Sequence, residues 1–103
     1  MKIAINTCYG GFYLSKKAIQ ILKERGYPDL AERCWDVEDQ KSRTHPVMVQ
    51  VIEELGKDAS WDGDVKIIEI PDDVKDWYIE DNDGFEHIGE GRRWHYKDQN
   101  KEV

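Results

Sequence analysis

The sequence predicts an α/β or α+β domain, a two-layer sandwich in the order β-α-(α)-α-β-β-β with one mixed sheet and two main helices. Three observations predict it. A β-branched run opens the chain at 2–6, an apolar stripe of helical period occupies 47–55, and Asp83-Gly84 stands between two alternating runs. At 103 residues, 39% of them hydrophobic, one domain around one thin core is expected. That domain is assigned to 1–96, with 27–44 as a variable insertion or loop and 97–103 as a charged, flexible tail.

Each element follows from local chemistry. Ile3 and Ile5 make residues 2–6 a short strand, and Gly10-Gly11 stops it because paired glycines adopt backbone angles that other residues resist. Ser15 is a good N-cap, with Ala18, Ile19 and Leu22 following at helical spacing until Gly26 and Pro28 end the helix. Residues 28–35 suit two helical turns, and the charged run 36–43 reads as an exposed loop. Thr44-His45-Pro46 starts the second main helix, whose stripe is Val47, Met48, Val51, Ile52 and Leu55, and Gly56 stops it. Residues 57–64 form a loop holding Trp61; Val65–Ile70 is a strand closed by Pro71. The helices between residues 2–6 and 65–70 suggest a right-handed crossover and hence parallel pairing of those two strands. Residues 76–80 and 85–88 flank a tight turn, and this hairpin is expected to extend the sheet antiparallel.

Charge narrows the function. Twenty-two acids against 15 bases give −7, which argues against sustained nucleic-acid binding. No apolar run approaches the ~18 residues of a membrane span, and the opening is too short for an export signal. A cytoplasmic protein is expected, in the host cell cytoplasm if phage-encoded, with Cys8 and Cys34 as reduced thiols.

Four places invite chemistry. The first is the turn at Asn6, Thr7, Cys8, Tyr9, Gly10, Gly11 and Phe12 with Ser15 beyond it, where a strand end meets a helix start and an anion would find free N–H groups. The named phosphate motifs are absent, and Leu14 stands where a phosphatase loop would carry arginine. The alternative is a tight turn whose glycines serve geometry. Cys8 is a candidate nucleophile with His45 or His87 as base, set against the commoner outcome of a small packed cysteine. The second place is Arg43-Thr44-His45-Pro46, where Arg43 forks onto a phosphate or carboxylate, or where Thr44 and His45 simply cap the helix. The third is the stretch 72–90, which holds eight acids against Lys75 alone. Its Asp81-Asn82-Asp83-Gly84 opens like a calcium loop and then lacks the ligands that should follow, so no metal is assigned. The fourth is Arg92-Arg93-Trp94, two guanidinium groups beside an aromatic plane, suited to a nucleotide or to clamping an acidic hairpin.

The run Ile5-Asn6-Thr7-Cys8-Tyr9-Gly10-Gly11-Phe12 with Leu14-Ser15, His45-Pro46, the segment 49–56, Val65 to Asp73, Trp77, Asp83-Gly84, Glu86 and Arg93-Trp94 resembles a family of small phage and prophage proteins. The resemblance spans most of 1–94. It implies a viral accessory protein that counters host defence by holding a nucleotide signal or a defence protein. Members often carry an acid where this chain has His45.

Together these observations favour a binder over an enzyme. The leading expectation is sequestration of a small anionic, nucleotide-like ligand over 6–12, contacted by Arg43 and by Arg92, Arg93 and Trp94, with no cofactor. The alternatives are an acidic inhibitor that binds a host protein through 72–90, and a Cys8-dependent hydrolase or transferase. Four tryptophans in so short a chain suggest a homo-oligomer.

Overall fold

A computed structural model describes residues 1–32 and 34–90. Its elements run β1 (Lys2–Asn6), α1 (Lys16–Glu24), a 3-10 turn (Pro28–Ala31), α2 (Gln40–Thr44), α3 (Pro46–Leu55), a second 3-10 turn (Gly56–Ala59), β2 (Val65–Glu69), β3 (Trp77–Asn82) and β4 (Phe85–Glu90). The fold is α+β.

The sheet differs from the single mixed sheet expected. Among the described residues there are two antiparallel pairs, β1–β2 and β3–β4. β2 begins where β1 ends, with Asn6 opposite Val65 and Lys2 opposite Glu69, so the expected parallel pairing is overturned. The reason lies in the two long helices. Tyr27, just after α1, packs against His45 at the start of α3, whereas Ser15 before α1 bonds to Asp58 and Ala59 just after α3. The helices therefore run antiparallel, and two opposed passes return the chain to the end of β1 that it left. One pass would have delivered it to the other end, as a crossover requires.

Alternation along β1 splits the apolar side chains between two clusters. Ala4 joins Phe12, Leu14, Ala18, Leu22, Met48, Val51, Ile52 and Val65 on the helix side. Ile3 and Ile5 join Ile70 on the other side, where Trp77, Ile88 and Val74 pack from the hairpin and the loop before it. β1–β2 thus carries helices on one face and the β3–β4 hairpin on the other.

The hairpin itself forms as the sequence indicates. Asn82 pairs with Phe85, and the two loop residues Asp83 and Gly84 have φ of 55° and 88°, the positive angles of a type I′ turn. α3 keeps its anticipated start, with His45 Nδ1 accepting from the Val47 N–H and Pro46 in the first turn. The segment 36–43 departs from expectation. It ends in α2, which packs on β1 and buries Ser42 and Arg43.

Candidate functional site

Two of the four candidate places become one. The turn after β1 and the tip of the hairpin are clasped together: Gly10 N–H donates to Asp83 O, and Asn6 Nδ2 donates to Cys8 O and to Gly84 O. Asn6 is fully buried; its Oδ1 accepts from Asp64 N–H, so its side chain acts as a hub between three segments. Gly84 lies so close that a Cβ on it would stand 2.2 Å from Gly11 N. The paired glycines, with φ of 112° and 102°, therefore let the chain's own hairpin approach their backbone closely.

Arg43 is corrected as a ligand contact. It is fully buried, and all five of its N–H groups have partners. Nε donates to Cys34 O, Nη1 to Ala4 O and Glu86 Oε1, and Nη2 to Trp35 O and Glu86 Oε2. Its guanidinium carbon sits 3.8 Å over the ring of Phe12, which is also buried. Glu86, one of the eight acids of the 72–90 stretch, is its buried partner and also accepts from Asn6 N–H. A sequence signal for this existed. Asp81 and Glu86 lie directly opposite in the hairpin, and two like charges so placed need a cation from elsewhere.

The remaining candidates are structural or open. Thr7 Oγ1 donates to Asp64, whose carboxyl is held below its usual range by the Lys66 ammonium first and then by Thr7. Ser15 caps α1 by accepting from Ala18 N–H. Cys8 is an exposed free thiol. Neither histidine proposed as its base is idle: His45 caps α3 and packs on Tyr27, and His87 Nε2 is 3.5 Å from Glu80 Oε1. Cys34 is buried, and burial pushes its thiol up to about 11. Arg92, Arg93, Trp94 and the tail 97–103 lie outside the described residues.

What the clasp presents outward is aromatic and acidic. Tyr9, 64% exposed, meets Phe85 edge-on with ring centroids 5.4 Å apart. Asp81 and Asp83 stand beside them on the hairpin tip, and Asp72, Asp73, Asp76 and Glu90 are exposed on the same hairpin and the loop leading to it. An anion over the turn would meet the tip carboxylates of Asp81 and Asp83, with Arg43 buried and unable to offset them.

Elsewhere, a groove of about 420 Å³ is lined by Phe12, Tyr13, Leu14, Lys16, Trp35 and Trp61 among others. Tyr13 and Trp61 stand at 88° to one another with centroids 6.3 Å apart, held by the Trp61 N–H to Tyr13 O bond and the Leu14–Ser60 bridge. From the sequence Trp61 reads only as a loop residue with no link to Tyr13, because that bridge joins residues far apart in the chain.

Among the described residues, no group of three or more histidines, cysteines and acids is placed to hold a metal ion. Nor is any helix there long and apolar enough to cross a membrane. Comparison with known proteins found no matching family model, no matching curated protein and no matching solved structure.

Proposed function

We propose that the protein acts by occupying a partner protein without chemical turnover, through the hairpin tip and the turn clasped to it. The observation that carries this is the exposed Tyr9–Phe85 pair with Asp81 and Asp83 at its border. Aromatic anchors ringed by polar groups are the usual anatomy of a protein interface. The surrounding carboxylates select a cationic surface and repel a polyanion. The likeness to phage proteins makes a host defence protein the natural partner.

The test compares capture from a host lysate by the natural chain, by Tyr9→Ala/Phe85→Ala and by Asp81→Asn/Asp83→Asn. The last removes both tip charges and keeps the turn, since asparagine accepts from Gly84 N–H as Asp81 does and tolerates the positive φ of Asp83. All four positions are exposed. A protein retained by the natural chain and lost from both variants supports the reading. One retained equally by all three removes it.

A second reading keeps the nucleotide-like anion and moves it to the Tyr13–Trp61 groove. The observation favouring it is that Lys16 lines this groove while no carboxylate does among the described residues. Its volume is in the range of small-molecule sites, and a base stacks on any aromatic face while a phosphate pairs with an ammonium. Titration with adenosine monophosphate should then quench tryptophan fluorescence saturably, and Trp61→Ala should abolish the effect. Absence of saturation in the natural chain removes this second reading.

A further inference from the structure

The two edges of the β1–β2 pair are treated differently. On β1, Ala4 C=O accepts from Arg43 Nη1 at 3.1 Å and Asn6 N–H donates to Glu86 Oε1 at 2.9 Å, so the even-numbered residues point their backbone groups away from β2. Ile3 and Ile5 consequently bond to β2, at Ile68 and Lys66. By the same alternation Val65, Ile67 and Glu69 direct their N–H and C=O groups outward. Val65 N–H is taken by Ser60 Oγ at 2.6 Å. The N–H and C=O of Ile67 and Glu69 have no partner among the described residues.

This edge borders a groove of about 440 Å³ between β2 and the end of α3, lined by Ile52, Glu53, Gly56, Lys57, Val65 and Ile67 among others. Val65 and Ile67 face the helices, and Ile52 packs in the same cluster, so the floor is apolar. A row of donors and acceptors at strand spacing is complementary to an extended chain and to little else. The rim charges decide what that chain carries. Glu53 is paired with Lys2 and Asp64 with Lys66, whereas Lys57 makes no ion pair within 4.0 Å among the described residues and acts on Asp64 only at longer range, as the last of the causes that hold that carboxyl down.

We propose that the outer edge of β2 takes an extended peptide segment of a partner protein as a third strand. One apolar side chain of that segment enters the groove between β2 and α3, and a carboxylate lies at Lys57. This surface is separate from the hairpin tip and stands or falls independently of it.

The probe is a set of blocked hexapeptides that alternate threonine with varied apolar residues and end in aspartate, added to the full chain. Amide hydrogen exchange is read residue by residue. Binding should slow exchange at Ile67 and Glu69 by about tenfold or more and leave the already paired Ile68 and Lys66 amides unchanged. Methylating the peptide nitrogens that face β2 should abolish the protection, and Lys57→Glu should weaken binding about threefold through the lost rim attraction. Three results overturn the proposal. Either no peptide in the set protects Ile67, or the methylated peptide protects it equally, or Ile67 is already protected without peptide. If that last protection grows with protein concentration, the occupant is a second copy of the chain; if it is independent of concentration, the chain covers its own edge.

Discussion

Arg43 and Glu86 form a buried pair, Nη1 to Oε1 at 2.8 Å and Nη2 to Oε2 at 2.9 Å, that occupies the place of a strand ladder between β1 and β4. Arg43 donates to the Ala4 carbonyl and Glu86 accepts from the Asn6 N–H, so the pair closes the edge of β1 with side chains. Its position accounts for two separate strand pairs where one sheet was expected. The same arginine also ties down the Cys34 and Trp35 carbonyls, which fastens the segment before α2.

Replacing Glu86 with glutamine should therefore lower stability by about 3–5 kcal/mol, because it leaves a buried guanidinium without its counter-charge. A sharper expectation concerns the double variant Arg43→Met/Glu86→Met. A simple buried ion pair often tolerates apolar replacement of both partners. Here the double variant would orphan the Ala4, Cys34 and Trp35 carbonyls and the Asn6 N–H, at about 1–3 kcal/mol for each buried group left unpaired. It should stay strongly destabilised in urea unfolding. A midpoint restored to that of the natural chain would show that the pair does not close the β1 edge.

Gly84 and Gly26 offer a matched comparison, since both have φ of 88°. A Cβ on Gly26 meets nothing within 4 Å, whereas one on Gly84 would stand 2.2 Å from Gly11 N and 2.7 Å from Gly10 C. Gly26→Ala should cost only the backbone term, about 1 kcal/mol. Gly84→Ala must also part the hairpin from the turn after β1, and should cost at least about 2 kcal/mol more, in the range of overpacked sites. Thermal unfolding of the two variants checks this; equal losses would mean that the clasp yields without resistance.

How much of this was legible in the sequence depended on how local each cause is. The Asp83-Gly84 turn, the Ser15 cap and the Pro46-to-Gly56 helix are set by neighbours within a few residues, and all three stand where the sequence placed them. The direction of β2 was not legible, because it depends on how α1 and α3 pass each other. Arg43 misled for a related reason. Within the charged run 36–43 it looks solvated, and only the partner at Glu86, far along the chain, makes its burial possible. Glu86 misled in turn because it sits at an inward position of a strand that leaves Phe85 exposed.

The two cysteines should separate by chemistry. Cys8 is exposed and should react with a thiol reagent in the folded protein, while Cys34 should react only on unfolding. Burial raises the Cys34 thiol from 9.0 to about 11, so the unfolded chain releases this proton before the folded one does. The stability owed to the neutral buried thiol is complete below 9.0 and is lost as pH rises through about 11. The loss approaches about 2–3 kcal/mol at its limit. Measured at about pH 8 and about pH 10.5, the stability difference between the natural chain and Cys34→Ala should shift toward the variant at the higher pH. An unchanged difference would mean that the thiol titrates as freely folded as unfolded.

Ser15 holds two partners at once, and this gives a test that a simple helix cap would not. Its Oγ accepts from Ala18 N–H at 3.1 Å and donates to Asp58 O at 2.6 Å, while its own N–H donates to Ala59 O. The cap starts α1, and the other two bonds fasten the 3-10 turn after α3 to it, beside the Leu14–Ser60 bridge that sets Tyr13 against Trp61. Ser15→Ala should cost about 1–2 kcal/mol, at the upper end for a lost cap. Aspartate caps helices as well as serine does, so a cap alone would be rescued by Ser15→Asp. At this junction the aspartate carboxylate would face the Asp58 carbonyl with no proton to donate, and it should rescue poorly, whereas Ser15→Thr keeps both functions. Chemical unfolding ranks the three variants, and tryptophan emission reports whether Trp61 keeps its contact with Tyr13. Full rescue by aspartate would reduce Ser15 to an ordinary cap and leave the junction to backbone bonds alone.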